Sequence, residues 1–249
     1  MALTPLVMTD VRIYYDSLDA TGFSNHVELS PVADTDDMTT FGSGGWKENV
    51  ATLKDTTALA TVFWQAGDLT MPDDTAFAQL ADATGPLTIV PTSGAVASTA
   101  YLTKVVENSY KLTGDDGKLL KADLGFHGNT ALARGQILHP QGTARTSTGN
   151  GTAVQLGAVL GSQRMYANLH VLSIAGTGTP TITVTIQSNV DNTFGAPTSR
   201  ISFTAATTLQ GQAGSVIGAV TDTWWRAIWT ISGSSPSFLF AVSAGVASK

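Results

Sequence analysis

TPTITVTIQSN, residues 179–189, alternates Thr181, Thr183 and Thr185 with Ile182, Val184 and Ile186, so one side of the segment is a row of hydroxyls and the other a row of branched aliphatics. A period of two sustained over that length belongs to a β-strand lying half on a core and half in water. The surrounding stretches read alike. RMYANLHVLSIAG (164–176), SRISFTAA (199–206), DTWWRAIWTISG (222–233) and SPSFLFAVSAGVA (235–247) alternate or run apolar, broken by GTGTP, NVDNTFGAP, GQAG and GSSP. Strands of this length and spacing predict a β-sandwich of jelly-roll or immunoglobulin-like type for the second half of the chain.

Composition points the same way along all 249 residues. Thr, Val, Ser and Gly are abundant and Lys, Glu, Arg and Gln scarce, which favours strands and turns over helices. With no cysteine, thiol nucleophiles, thiolate metal sites and disulfides are excluded. The net charge of −6 offers no basic face for nucleic acid. No run of about 20 apolar residues occurs, and the opening MALTPLVMTDVRIYYD lacks a basic region ahead of an apolar one, so neither a transmembrane helix nor a signal peptide is expected. The charge is unevenly spread. Residues 1–140 carry 8 Lys and Arg against 17 Asp and Glu, a balance of −9, whereas residues 141–249 carry 5 against 2, a balance of +3. HPQGTARTSTGNGT (139–152) has no hydrophobic period, and the predicted organisation is a first domain over 1–140, a linker over 141–152 and a second domain over 153–249.

Within the first half, VRIYY (11–15) and HVELSPV (26–32) predict an early strand pair. ADTDDMTTFGSGG (33–45) holds three aspartates and three glycines and reads as a long loop or flexible hairpin, after which strand-like composition resumes in WKENVATLKDTTALATVFWQ (46–65). Loops of that length are usually functional or become ordered on binding. PDDTAFAQLADATG (72–85) predicts the one helix, about three turns long: Asp73 or Asp74 as N-cap, Ala76, Phe77, Leu80 and Ala81 on the buried face, Gly85 at the C-terminal end. Strands are expected at 87–91, 98–114, 117–128 and 131–140, with Gly114-Asp115-Asp116-Gly117 as a hairpin turn.

Motifs for chemistry are lacking. His26, His127, His139 and His170 are far apart and read as ordinary surface or satisfied residues. Asp34, Asp36 and Asp37 resemble the start of a calcium loop, but its glycine and bidentate glutamate are missing, so no metal or other cofactor is expected. Neither a nucleophile elbow nor a phosphate-binding loop is present, and no enzyme activity is expected. Alternation places Trp225, Ala227 and Trp229 on one face of their strand and Trp224, Arg226 and Ile228 on the other. The pair Trp224 and Trp225 is therefore either split between a core and its cover, or an exterior aromatic site for a sugar.

FGSGGWKENVATLKDTTALATVFW, the short helix after an acidic turn, the ENSYKLTGDDGKLLKADLGFHG hairpin and the closing ALARGQILHP resemble, in order and texture, the major tail tube protein of long-tailed phages. The second half is similar to β-sandwich domains appended to phage structural proteins. The resemblance implies a mainly β fold: an N-terminal tail-tube-type β-sandwich or barrel with one flanking α-helix (Asp73, Phe77, Leu80), plus a C-terminal β-sandwich on the tube exterior. It also implies a structural virion protein that forms stacked hexameric rings, a conduit for DNA ejection, found in the virion tail after assembly in the host bacterial cytoplasm. The implied partners are further copies of the chain, the tape measure protein, the tail terminator, the distal tail and baseplate proteins, double-stranded DNA passing without specific binding, and a host-surface glycan at the C-terminal domain. The ring-to-ring contact falls on Asp34, Asp36, Asp37, Phe41, Gly42, Gly44, Gly45 and Trp46. Removal of residues beyond about Gly149 is then expected to spare assembly. A carbohydrate-binding or decoration protein of a phage particle is the alternative.

Overall fold

A computed structural model describes residues 7–81 and 84–248. Residues 1–6, which open the stretch read for a leader, lie outside the described residues, as do Asp82 and Ala83 in the expected tail of the helix. The described residues form fourteen strands and one helix. These are β1 (Arg12–Tyr15), β2 (Leu18–Asp19), β3 (Ser24–Asp37), β4 (Asn49–Phe63), α1 (Pro72–Gln79), β5 (Thr84–Val90), β6 (Thr99–Thr113), β7 (Lys121–Gly128), β8 (Ala133–His139), β9 (Gly149–Asn150), β10 (Val154–Gln155), β11 (Gln163–Asn189), β12 (Thr198–Ser202), β13 (Gln210–Ile217) and β14 (Trp224–Ser248). The fold is mainly β, as the composition requires.

All fourteen strands belong to one hydrogen-bonded sheet that branches at β6. One edge of β6 pairs with β5, which leads to β1 and β2. Its other edge is shared. Residues 99–102 pair with β8, whose far side pairs with β14, and residues 105–113 pair with β7, which leads to β4 and then β3. The expected early pair is therefore corrected: β1 pairs with β2 and β5, and β3 pairs with β4. Tyr15, Leu18, Val62, Leu87, Leu124 and Phe126 fill the core of this first part.

The second part is built on one long antiparallel ribbon. β11 and β14 pair from Gln163↔Ser248 to Asn189↔Trp224, with register shifts at 175–181. The GTGTP and GSSP segments, read as turns between separate strands, are instead paired bends within it. Both legs face one core: Met165, Leu169 and Val171 before the bend, Ile182, Val184 and Ile186 after it, with Trp225, Trp229 and Phe240 from β14. The alternation of residues 179–189 thus buries its aliphatic row as expected. β13 was not foreseen, because its two glycines read as a break.

The two parts share a buried seam. Before the bend of β11, Asn168, His170 and Leu172 point away from the second core toward the first part. Asn168 Nδ2 donates to the Leu87 and Thr103 carbonyls at 3.0 and 3.2 Å. His170 is fully buried between the Asp16 carbonyl, 2.8 Å from Nδ1, and the Thr88 hydroxyl, 2.9 Å from Nε2, and Thr88 also meets Ser243 at 3.1 Å. Where β8 crosses to β14, Gly135 and Gly245 are paired. A Cβ built on Gly135 would stand 1.9 Å from the Ala244 carbonyl oxygen, so only glycine allows that approach.

Residues 141–152 are not a free tether. Arg145 bridges Phe238, β9 pairs with β14, and the Trp229 indole donates to the Ser147 carbonyl at 3.0 Å. His139 stacks on Trp229 at 4.7 Å with Arg145 Nε donating to its Nε2. The helix is also shorter than predicted. Met71 is its N-cap without a side-chain bond, while Asp73 and Asp74 sit in the first turn, one accepting from the Tyr110 hydroxyl and the other from Gly67 N–H. Pro72, Thr75 and Ala76 are its buried residues, whereas Phe77 is 63% exposed. Leu80 is the C-cap, and Gly85 belongs to β5.

Candidate assembly interface

The β3–β4 hairpin outruns the rest of the sheet. β3 pairs with β4 from Ser24↔Val62 to Asp37↔Asn49, but β7 covers β4 only over residues 57–63. Beyond Pro31↔Thr56 the hairpin is a two-stranded arm, exposed on both faces. The burial pattern of β4 shows the change: residues 49–55 are all exposed, and the alternation of buried and half-buried residues begins at Thr56. A two-stranded ribbon in water has little to hold it beyond its own ladder, and natural edges of this length are blunted by charge and proline. Glu28, Pro31, Asp34, Asp36 and Asp37 supply those features along β3.

Apolar side chains nonetheless crowd the arm. Trp46 is 80% exposed and Leu53 74%, Phe41 is fully exposed, and Val32, Met38 and Val50 are about half exposed. Of these, Phe41 and Trp46 were picked out by the sequence, whereas Val32, Met38, Val50 and Leu53 were missed. A signal was present in the apolar residues flanking the Gly-rich tip on both sides.

The tip is a hydrogen-bonded turn. Met38 N–H donates to the Glu48 carbonyl at 2.8 Å, Glu48 N–H to the Thr39 hydroxyl at 2.9 Å, and Trp46 N–H to the Ser43 carbonyl at 3.2 Å. Gly44 and Gly45 take left-handed conformations, with φ of 62° and 88°, that reverse the chain. Asp37 accepts from Thr39 N–H at 2.9 Å and lies 3.5 Å from Lys47 Nζ. These contacts, led by Thr39, hold its carboxyl below the usual carboxylate range. Asp34, Asp36 and Asp37 are therefore strand residues, and of the two readings of 33–45, loop or hairpin, the hairpin is the one observed, made of the end of β3 plus a short tip.

The other candidate residues lie elsewhere. Helix α1 sits at the opposite end of β4, where Phe77 meets the Tyr110 ring edge-on at 5.6 Å. Trp225 is fully buried and its indole N–H donates to the Gly157 carbonyl at 2.9 Å, so it cannot form an exterior site. Trp224 is half-buried on the other face, next to Arg226, which is held by Gln187 and lies over Phe194 at 4.2 Å. No cluster of three or more His, Asp or Glu with metal-binding geometry occurs among the described residues. No described helix is long and apolar enough to cross a membrane.

No family model matches the sequence, and no curated protein does. Among solved structures, the chain is similar to a component of the "Virion of native gene transfer agent (GTA) particle", with 16% identity and a TM-score of 0.41 over 52% of this chain and 98% of that one. The same figures hold for the "Tail of empty GTA particle computed with helical refinement, C6 symmetry". It is also similar to the SPP1 Dit (gp 19.1) protein, described as "a Paradigm of Hub Adsorption Apparatus in Gram-positive Infecting Phages", with 12% identity and a TM-score of 0.37 over 95% of this chain and 99% of that one.

Proposed function

We propose that this chain is a structural, non-catalytic protein of a phage-type virion tail, whose first part polymerises as stacked hexameric rings into the tail tube through which DNA leaves the capsid. The observation that carries the reading is the β3–β4 arm, which projects from the sheet and exposes Phe41 and Trp46 at its end. Large aromatics contribute disproportionately to interfaces, and a subunit gains nothing by exposing them unless another chain covers them. On this reading the arm is the contact between rings. The sequence resemblance of residues 1–140 supports it, and the balance of −9 in that part suits a wall along which DNA slides without adhering.

The second part belongs on the tube exterior, because a lumen has no room for it. The alternative of a carbohydrate-binding or decoration protein is weakened by the burial of Trp225, which leaves Trp224 without its neighbour as a sugar platform. The tape measure protein, tail terminator and distal tail proteins are the further partners the tube reading requires.

Deleting residues 36–44 tests the proposal, since the deleted residues touch none of the core. The variant is expected to stay soluble, to keep the wild-type circular dichroism spectrum and to elute as a single subunit where the wild type forms rings or tubes in negative stain. Tubes of normal length from the deletion variant overturn the assignment.

A further inference from the structure

Exposed apolar side chains occur at both ends of β4. At the arm tip stand Met38, Phe41 and Trp46; at the other end Trp64, Leu69 and Phe77 lie around the β6–β7 turn, where Leu119 is 70% exposed and Leu112 and Leu120 about half. Hydrogen bonds and a ring contact tie the elements that carry these latter residues together, and we treat them as one patch. Trp64 N–H donates to the Leu120 carbonyl at 3.0 Å, and Phe77 packs on Tyr110, whose hydroxyl reaches Asp73 at the start of the helix. The fourteen steps from Asn49 to Phe63, at about 3.3 Å each, place the two sets roughly 45 Å apart.

We propose that the patch at the helix end receives the arm tip of a second copy of this chain, head to tail; this rests on the reading of the arm as the link between rings and names what the arm binds. Two different apolar surfaces at opposite ends of one subunit would make a heterologous contact, which repeats in a line and does not close on a pair. Trp46 and Phe41 supply flat anchors, and the patch supplies leucines with two aromatic rings to seat them. Each aromatic buries on the order of 150–250 Å², so one docked tip covers less than the ~800 Å² per partner typical of a stable pair. A single contact is therefore weak, and many made at once by a ring are strong. That arrangement leaves the free subunit soluble.

Charge gives the contact a recognisable salt dependence. Asp34, Asp36, Asp37 and Glu48 surround the tip, and Asp68, Asp73, Asp74, Asp115 and Asp116 surround the patch, so the two surfaces repel through water. Added salt screens that repulsion and strengthens the apolar contact, whereas an ion-paired contact would weaken.

The absence of cysteine makes cross-linking clean. Lys47→Cys at the tip is mixed under assembly conditions with Asp116→Cys beside the patch, or with Asn129→Cys in the rival landing site, a groove of about 770 Å³ at the arm's base lined by Val32, Leu53, Ala131 and Leu132. A short bis-maleimide is added at 50 mM and 500 mM salt. A covalent dimer from the first mixture alone, more abundant at high salt, is the expected result. Assembly accompanied by dimers from the second mixture only, or from neither, overturns the receptor while leaving the arm as the link. Absence of any assembly by the wild-type chain overturns both.

Discussion

Raising the pH from 6.5 to 8.5 is expected to cost the folded chain about 1 kcal/mol, and lowering it to 4.5 about 2 kcal/mol, because buried groups titrate in opposite senses. Glu107 on β6 is fully buried beside the Tyr15 hydroxyl, and neither carboxyl oxygen has a hydrogen-bond partner. Burial pushes its pKa up to about 8 from an ordinary 4.5. Between those values the folded chain holds a proton that the unfolded chain has released, so stability falls as pH rises, until the folded carboxyl ionises as well. His139 and His170 act the other way. Burial pushes both down to about 4 from 6.5, with Arg145 adding to the effect at His139. Between those values the unfolded chain takes up protons that the folded one refuses, and stability falls as pH drops. From 6.5 down to 4.5 the two histidine protons are offset by the one on Glu107, and burial of Asp16, which raises its carboxyl, adds to that offset; above 6.5 the unfolded histidines, half protonated there, lose their protons and return about 1 kcal/mol against the roughly 2 kcal/mol lost at Glu107. Asp37, Asp68, Asp191 and Asp222 stay charged throughout, since hydrogen bonds led by Thr39, Thr70, Thr193 and Ser188 hold them below the ordinary range. Urea unfolding followed by the fluorescence of buried Trp225 and Trp229 at pH 4.5, 6.5 and 8.5 measures the profile. Glu107→Gln should abolish the alkaline decline and steepen the acid one to about 4 kcal/mol. An alkaline decline that survives in this variant, or a wild-type profile that is flat above pH 6.5, would refute the reasoning.

Two other predictions concern the join between the parts. Gly135→Ala drives a methyl into the Ala244 carbonyl and the Gly245 Cα, and should destabilise the chain by about 2–3 kcal/mol, read as a lower urea midpoint, while Ala→Gly at the exposed Ala51 of the arm changes it by less than about 1 kcal/mol. Contrary to the expectation from the sequence that its loss spares assembly, truncation after Gly149 should give an insoluble or unfolded product by gel filtration and circular dichroism, because it removes Asn168, His170 and Ser243 from their partners and bares the β8 edge; a folded, assembling fragment of 149 residues would show the seam to be dispensable.

Strands were legible wherever one side of the chain faces a core and the other faces water. Trp225, Ala227 and Trp229 are buried and Trp224, Arg226 and Ile228 are half-buried, as a period of two demands. The bends were not legible. Gly176 to Pro180 has the composition of a turn, and only the partner strand bending beside it at 233–236 keeps the pairing intact, which is information carried more than fifty residues away. The helix failed for a related reason. Eight residues give just over two turns, so the position of α1 is set by Asp73 gripping Tyr110 and by Ala76 pressed on the sheet, and Phe77 is left outside although its spacing from Ala76 and Leu80 suggested a core face. In the arm, exposed apolar residues in a strand pattern looked like those of any half-buried strand. Their lack of cover follows from β7 ending its pairing at Thr57, a non-local fact.

The seam explains why a chain with two such different compositions behaves as one structural unit. An apolar contact between the parts would tolerate sliding, since hydrophobic burial has no direction. Asn168, His170, Thr88 and Ser243 tolerate none: each hydrogen bond is satisfied at one placement, and a shifted placement leaves buried polar groups unpaired at a cost of about 1–3 kcal/mol each. Gly135 opposite Gly245 adds a steric register, because β14 can approach β8 closely only where both side chains are absent. The second part is thereby fixed in orientation to β6, the strand from which the branch toward β7, β4 and the arm departs. On the proposed tube reading, every copy must present its arm and its outer surface at the same mutual angles, since any play within the subunit would be multiplied along a stack. A polar seam meets that need better than a larger apolar one, and its cost in stability is the pH sensitivity of His170 that the urea experiment reads.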